Sequence, residues 1–153
     1  MKSIESVSDL YKKKILLRLD LNVPIKNGHI IDATRIDKIL PTINFLLKKN
    51  AKIIILSHIG RPKGKNVNEL SLRPVSEDIK KKINIDVKLI TKNIREINSE
   101  DLFIKAEEKI VMLENIRFYK EEEENDNNFA KQLASLGDLF VNDAFSCSHR
   151  NHA

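Results

Sequence analysis

AKIIILSHIGRPKG, residues 51–64, joins an unbroken apolar run to a cationic loop punctuated by glycine and proline. Ile53, Ile54, Ile55 and Leu56 are consecutive and branched, the pattern of a short strand buried on both faces, as in a parallel sheet. The run stops at Ser57 and opens into His58, Gly60, Arg61, Pro62, Lys63 and Gly64. Fixed cations and an imidazole therefore stand at the carboxyl end of a strand. Open α/β sheets bind their ligands just beyond that edge. A cationic loop there predicts a small anion, either a phosphate or a carboxylate.

On either side of this stretch, strand and helix patterns alternate. Residues 14–21 (KILLRLDL) read as a first strand, and Asn27-Gly28 between two short apolar runs predicts a small hairpin. Thr34 is the expected cap of a helix reaching about residue 50, with Ile36, Ile39, Leu40, Ile43, Leu46 and Leu47 on one face. Pro41 predicts a kink or a restart in it. A second helix is expected over residues 73–83, entered through Pro74. Residues 87–90 read as a strand, and 93–106 are ambiguous. Residues 109–113 read as a buried strand and 126–136 as a helix with Gly137 suited to its C-cap. A fifth strand is expected over 138–142. This alternation implies right-handed βαβ units in an α/β fold: a three-layer αβα, Rossmann-like parallel sheet.

Composition excludes several other classes. The 153 residues suit one domain with a real core, being 41% hydrophobic and 32% charged. No apolar run approaches the roughly 20 residues of a membrane span, and the first residues lack a secretion signal's apolar core. The single cysteine, Cys147, cannot form an internal disulfide, which fits a cytoplasmic setting. The net charge of +5 comes with only 5% aromatic residues and no tryptophan, so the stacking side chains of nucleic-acid modules are scarce. Neither GxGxxG nor GxxxxGK[ST] occurs, which disfavours a mononucleotide-binding domain.

The polar residues collect where strands end. The first strand leads into Asp20 and Asn22, and the turn before the first helix carries Asp32 and Arg35. His58 and Arg61 follow the second strand, Arg117 follows 109–113, and Asn142, Asp143, His149, Arg150 and His152 follow the last. In a parallel sheet these ends share one edge. Four arginines and several histidines on one edge repel one another unless an anion or carboxylates offset them. Arginine suits that anion because its planar fork holds phosphate or carboxylate oxygens bidentately. Taken singly, Arg117 and Arg150 read as surface ion-pair partners and His58 as a structural histidine. Arg35, by contrast, opposes the dipole of its own helix start. His149 and His152 have no ligand spacing that supports zinc. The set carries the reading.

RLDLNVP (18–24), DATRI (32–36), SHIGRPKG (57–64), SLRPV (71–75), LENIRFY (113–119), END (124–126), VNDAF (141–145) and HRNHA (149–153) together resemble phosphoglycerate kinase. The similarity runs in order from about residue 14 to residue 153. It implies reversible phosphoryl transfer between 1,3-bisphosphoglycerate and ADP, giving 3-phosphoglycerate and ATP, in a cytoplasmic enzyme of glycolysis and gluconeogenesis that is a monomer at full length. By motif, Asp20 and Asn22 orient the substrate. Arg35 stabilises the phosphoryl group in flight, a catalytic role. His58, Arg61, Arg117 and Arg150 grip the non-transferring phosphate, with His149 and His152 adding to the basic patch. No nucleic-acid, membrane or metal partner is implied for this stretch.

Ser146, Cys147, Ser148 and Asn151 depart from the family's usual small residues. Family members are more than twice this long, and no nucleotide-site lysine or glycine-rich phosphate loop is present. Residues 1–153 are therefore expected to be an incomplete, phosphoglycerate-binding N-terminal domain. Mg2+ with ATP or ADP would be held by the C-terminal domain of the full-length enzyme, and the piece alone is expected to lack turnover. The alternative is a stand-alone binding module for phosphorylated metabolites or polyanions.

Overall fold

The computed structural model describes residues 11–19, 21–58, 70–105, 107–119 and 127–143. Among these residues, five parallel strands form one sheet, in the order β5-β6-β4-β1-β7. These are β1 (Lys14–Leu19), β4 (Lys52–Leu56), β5 (Val87–Ile90), β6 (Ile110–Leu113) and β7 (Leu139–Asp143). Register is fixed by pairs such as Leu16 with Ile54, Ile54 with Val111 and Leu16 with Phe140. Two short strands, β2 (Ile25–Lys26) and β3 (His29–Ile30), make the hairpin. Asn27 and Gly28 turn it with φ of 52° and 77°, left-handed values that this residue pair tolerates best.

Helices cover both faces. On one, α1 (Thr34–Lys48) and α2 (Arg73–Ile83) pack over Ile15, Leu17, Ile53, Ile55 and Met112. On the other, α3 (Asn127–Ala134) and two 3-10 turns, Ile94–Glu96 and Ser99–Asp101, cover Leu16, Ile54, Leu56, Val111 and Leu113. β4 is buried on both sides, as its apolar run predicts. No helix among the described residues is long and apolar enough to cross a membrane.

Three local expectations are corrected. α1 neither breaks nor restarts: Pro41 lies inside one continuous helix. An interior proline costs about 3 kcal/mol. Ile36 and Ile39 before it and Ile43 and Leu46 after it are all buried. At about 2 kcal/mol each, their burial outweighs that cost. Thr34 does not cap the helix but is its first residue. Ala33 holds the cap position without a side-chain bond, and Asp32 before it accepts from the Thr34 backbone N–H at 2.9 Å and its hydroxyl at 2.6 Å. Gly137 is not a left-handed cap, since Gly28 is the described glycine with positive φ. A Cβ at Gly137 would stand 3.1 Å from the Lys14 carbonyl oxygen and 3.2 Å from the Leu16 Cβ. It is small because β1 passes that close.

Candidate functional site

The carboxyl ends of β6, β4, β1 and β7 lie side by side. Ser57 ties three of the following segments together. Its hydroxyl accepts from the Leu21 N–H at 3.1 Å, and its carbonyl accepts from the Ile116 N–H at 3.1 Å. Only 1% of Ser57 is exposed, so these bonds work without competition from water. The single residue before His58 thus draws the segment carrying Asn22 and the turn carrying Arg117 toward the end of β4.

Around this clamp, several of the expected residues assemble. Asn22 follows Leu21 and is exposed, while His58 follows Ser57 and is half-buried. Arg35, exposed on the first turn of α1, donates from Nη1 to the Asn22 carbonyl at 3.2 Å. Asn22 and Arg35, 13 residues apart in sequence, are thereby brought into contact. Arg117 lies in the 3-10 turn Ile116–Phe118, directly after the residue bonded to Ser57. The backbone of Asn142 and Asp143 pairs with Arg18 and Leu19, which sets the end of β7 against the same edge. Asp20, Arg61, His149, Arg150 and His152 lie outside the described residues, as do Ser146, Cys147, Ser148 and Asn151.

Electrostatics at the first turn of α1 follow from its two acids. The Thr34 hydroxyl, and then its N–H, hold the Asp32 carboxyl below its ordinary range. Asp37 is the acid inside the first turn. Both offset the unfavourable charge of Arg35 at a helix start. Among the described residues, no group of three or more His, Cys, Asp or Glu converges as a metal site would require.

A second joint, built from residues with no assigned role in the sequence, supports the first. Glu114 accepts from the Ser71 hydroxyl at 2.6 Å, the Leu72 N–H at 2.7 Å and the Asn115 N–H at 3.0 Å. It therefore caps the start of α2 from a distant strand end. Asn115 is fully buried and donates its amide to the Leu70 carbonyl at 2.9 Å. Tyr119 accepts from the Ile94 N–H at 2.9 Å and stacks with Phe129, their ring centroids 5.3 Å apart. The signal available in sequence was a polar residue closing an apolar run, at Ser57 and again at Glu114-Asn115.

The family model for phosphoglycerate kinase matches residues 4–153. The chain belongs to the phosphoglycerate kinase family. It is 55% identical over 99% of its length to a phosphoglycerate kinase of Wolbachia pipientis from Culex pipiens, covering 38% of that protein. It is 47% identical over its whole length to one from Borrelia garinii, covering 39% of it. The solved phosphoglycerate kinase of Coxiella burnetii matches 96% of the chain with a TM-score of 0.81 and 40% identity, and the chain covers 36% of it. That of Pyrococcus horikoshii gives 0.79 and 30% identity. The chain thus spans a little over a third of the length of the relatives it matches.

Proposed function

We propose that the chain forms the phosphoglycerate-binding N-terminal domain of a cytoplasmic, monomeric phosphoglycerate kinase. That enzyme moves a phosphoryl group reversibly between 1,3-bisphosphoglycerate and ADP. The observation that carries this reading is the Ser57 clamp, which gathers Asn22, Arg35, His58 and the Arg117 turn at one sheet edge. In this assignment Asp20 and Asn22 orient the substrate, and Arg35 neutralises charge on the phosphoryl group in transit. His58, Arg61, Arg117 and Arg150 hold the phosphate that stays behind, with His149 and His152 adding positive charge nearby. The nucleotide and its Mg2+ are assigned to the part of the family's length that this chain does not span. The described residues offer no carboxylate cluster for that ion.

Calorimetric titration of the 153-residue chain tests the reading. 3-Phosphoglycerate should bind more tightly than plain phosphate or a short DNA duplex, and Arg61→Ala should weaken it by about 1.5–3 kcal/mol, the range of one charge-assisted contact. In a full-length enzyme, Arg35→Ala should lower kcat more than it raises KM. Equal affinity for all three ligands would instead make the chain a general anion-binding module.

A further inference from the structure

The opposite, amino-terminal edge of the sheet carries a separate basic cavity of about 160 Å³, lined by Tyr11, Lys12, Leu47, Asn50, Lys52 and Lys109. Backbone pairing brings its lysines together. The Lys12 N–H donates to the Asn50 carbonyl at 2.9 Å, the Lys52 N–H to that of Lys13 at 2.8 Å, and the Ile53 N–H to that of Lys109 at 2.8 Å. Three ammonium-bearing residues from three chain segments therefore open on one small space. None of the described residues lining it carries a carboxylate.

Among the described residues, the acid beside the cavity, Glu108, is engaged elsewhere. Glu108 accepts from the Ile104 and Lys105 N–H groups at 2.9 and 2.8 Å and pairs with Lys88 at 2.7 Å. Its backbone carbonyl, a neutral group, is what accepts from the Lys52 ammonium. Burial holds the Lys52 ammonium below its ordinary pKa. Lys109 and Lys12 push the same way, while Glu108 and Glu107 oppose them. An anion in the cavity would add to the offset that Glu108 and Glu107 supply and relieve the repulsion among the three lysines. The volume admits a single phosphate-sized group and falls short of what a nucleotide needs.

We propose that Lys12, Lys52 and Lys109, with the Tyr11 hydroxyl and the Asn50 amide, bind a phosphate-sized dianion at the amino-terminal edge, remote from the Ser57 clamp. The ligand is inorganic phosphate or the phosphate of a small monoester. Binding there ties the start of β1 to the starts of β4 and β6.

Amide-resolved NMR of the chain titrated with inorganic phosphate tests this, with sodium chloride at matched ionic strength as the control. Amides of residues 11–12, 50–52 and 109 should shift and saturate together. Lys12→Gln and Lys109→Gln replace exposed side chains, and each should raise the dissociation constant about tenfold, one charge-assisted contact's worth. Shifts near Asn22 and His58 should be unaffected by either variant. Three results would overturn the proposal: linear, non-saturating shifts reproduced by chloride, shifts confined to the Ser57 edge, or a DNA duplex outcompeting phosphate at equal phosphate concentration. Phosphoglycerate binding at the other edge is read from different amides, so the two assignments stand or fall separately.

Discussion

At the carboxyl edge of the sheet the joints are made by short neutral or acidic groups, Ser57, Glu114 and Asn115; at the amino edge they are made by long cations. There the Lys14 ammonium donates to the Ser99 carbonyl at 3.0 Å and hydroxyl at 2.7 Å, and the Lys52 ammonium to the Glu108 carbonyl. Both lysines also flank the Phe103 ring, 6.0 and 5.6 Å from its centroid. At the amino edge Lys14 and Lys52 each donate to a backbone carbonyl. The side chains that make these joints at the carboxyl edge carry no positive charge, and Arg35 reaches from α1 to the Asn22 carbonyl beside them. At the carboxyl edge the joints therefore come from Ser57, Glu114 and Asn115 rather than from the cations assigned to the anion.

The difference can be broken first at Glu114. Glu114→Ala removes three hydrogen bonds and leaves the Leu72 N–H at the start of α2 without its partner. A loss of about 3 kcal/mol is expected, since bonds to a charged acceptor are worth about 1.5–3 kcal/mol each and partly substitute for one another. Urea unfolding measures it. Phosphoglycerate affinity should fall with it, because the same joint positions the Ile116–Phe118 turn. Unchanged stability would mean that the cap on α2 is idle.

Lys14→Met is the counterpart at the amino edge. Methionine keeps the stem against Phe103 and discards only the bonds to Ser99. The expected loss is about 1 kcal/mol, the net worth of a partly exposed hydrogen bond. It should be nearly independent of salt, because the partners are uncharged oxygens rather than carboxylates. A strong dependence of the loss on sodium chloride would place an ion pair where the geometry gives a carbonyl. Phosphoglycerate affinity should not follow this loss, and a parallel fall would erase the distinction between the edges.

Legibility in the sequence followed the range of the interactions. β4, β5 and α2 could be bounded closely because their patterns are local: an apolar run, or an apolar stripe entered through Pro74. Pro41 misled because its cost is local, whereas the burial of Ile36, Ile39, Ile43 and Leu46 that outweighs it depends on the sheet beneath. Gly137 misled for the same reason, its constraint coming from Lys14 and Leu16, more than 100 residues earlier. Within the ambiguous stretch, Ile94–Glu96 and Ser99–Asp101 are 3-10 turns, too short for helical periodicity to register. At the site, the motifs name Asn22 and Arg35 separately, while their contact and the Ser57 clamp emerge only in the fold. The clamp rests on contacts between residues far apart in the chain.

Asp32 gives the smallest effect and the finest test of how the carboxyl edge is set. Its carboxylate fixes the first turn of α1, from which Arg35 reaches Asn22. Hydrogen bonds from Thr34 favour the ionised form, so the folded-state pKa lies below the unfolded value of about 3.9. The stabilisation is therefore fully present above that value and is lost as pH falls through the lower, folded one. Asp32→Ala should lower the urea midpoint slightly at neutral pH, and the gap to the unsubstituted chain should close on acidification from about pH 5 to about pH 2. A gap that stays constant across this range would mean that the two Thr34 bonds do not depend on the charge. In that case the carboxyl edge would owe its first helical turn to Thr34 itself, as the sequence suggested, and Arg35 would keep its place in Asp32→Ala. Loss of the Arg35 contact in step with the acid transition would instead make Asp32 the positioning residue for that arginine.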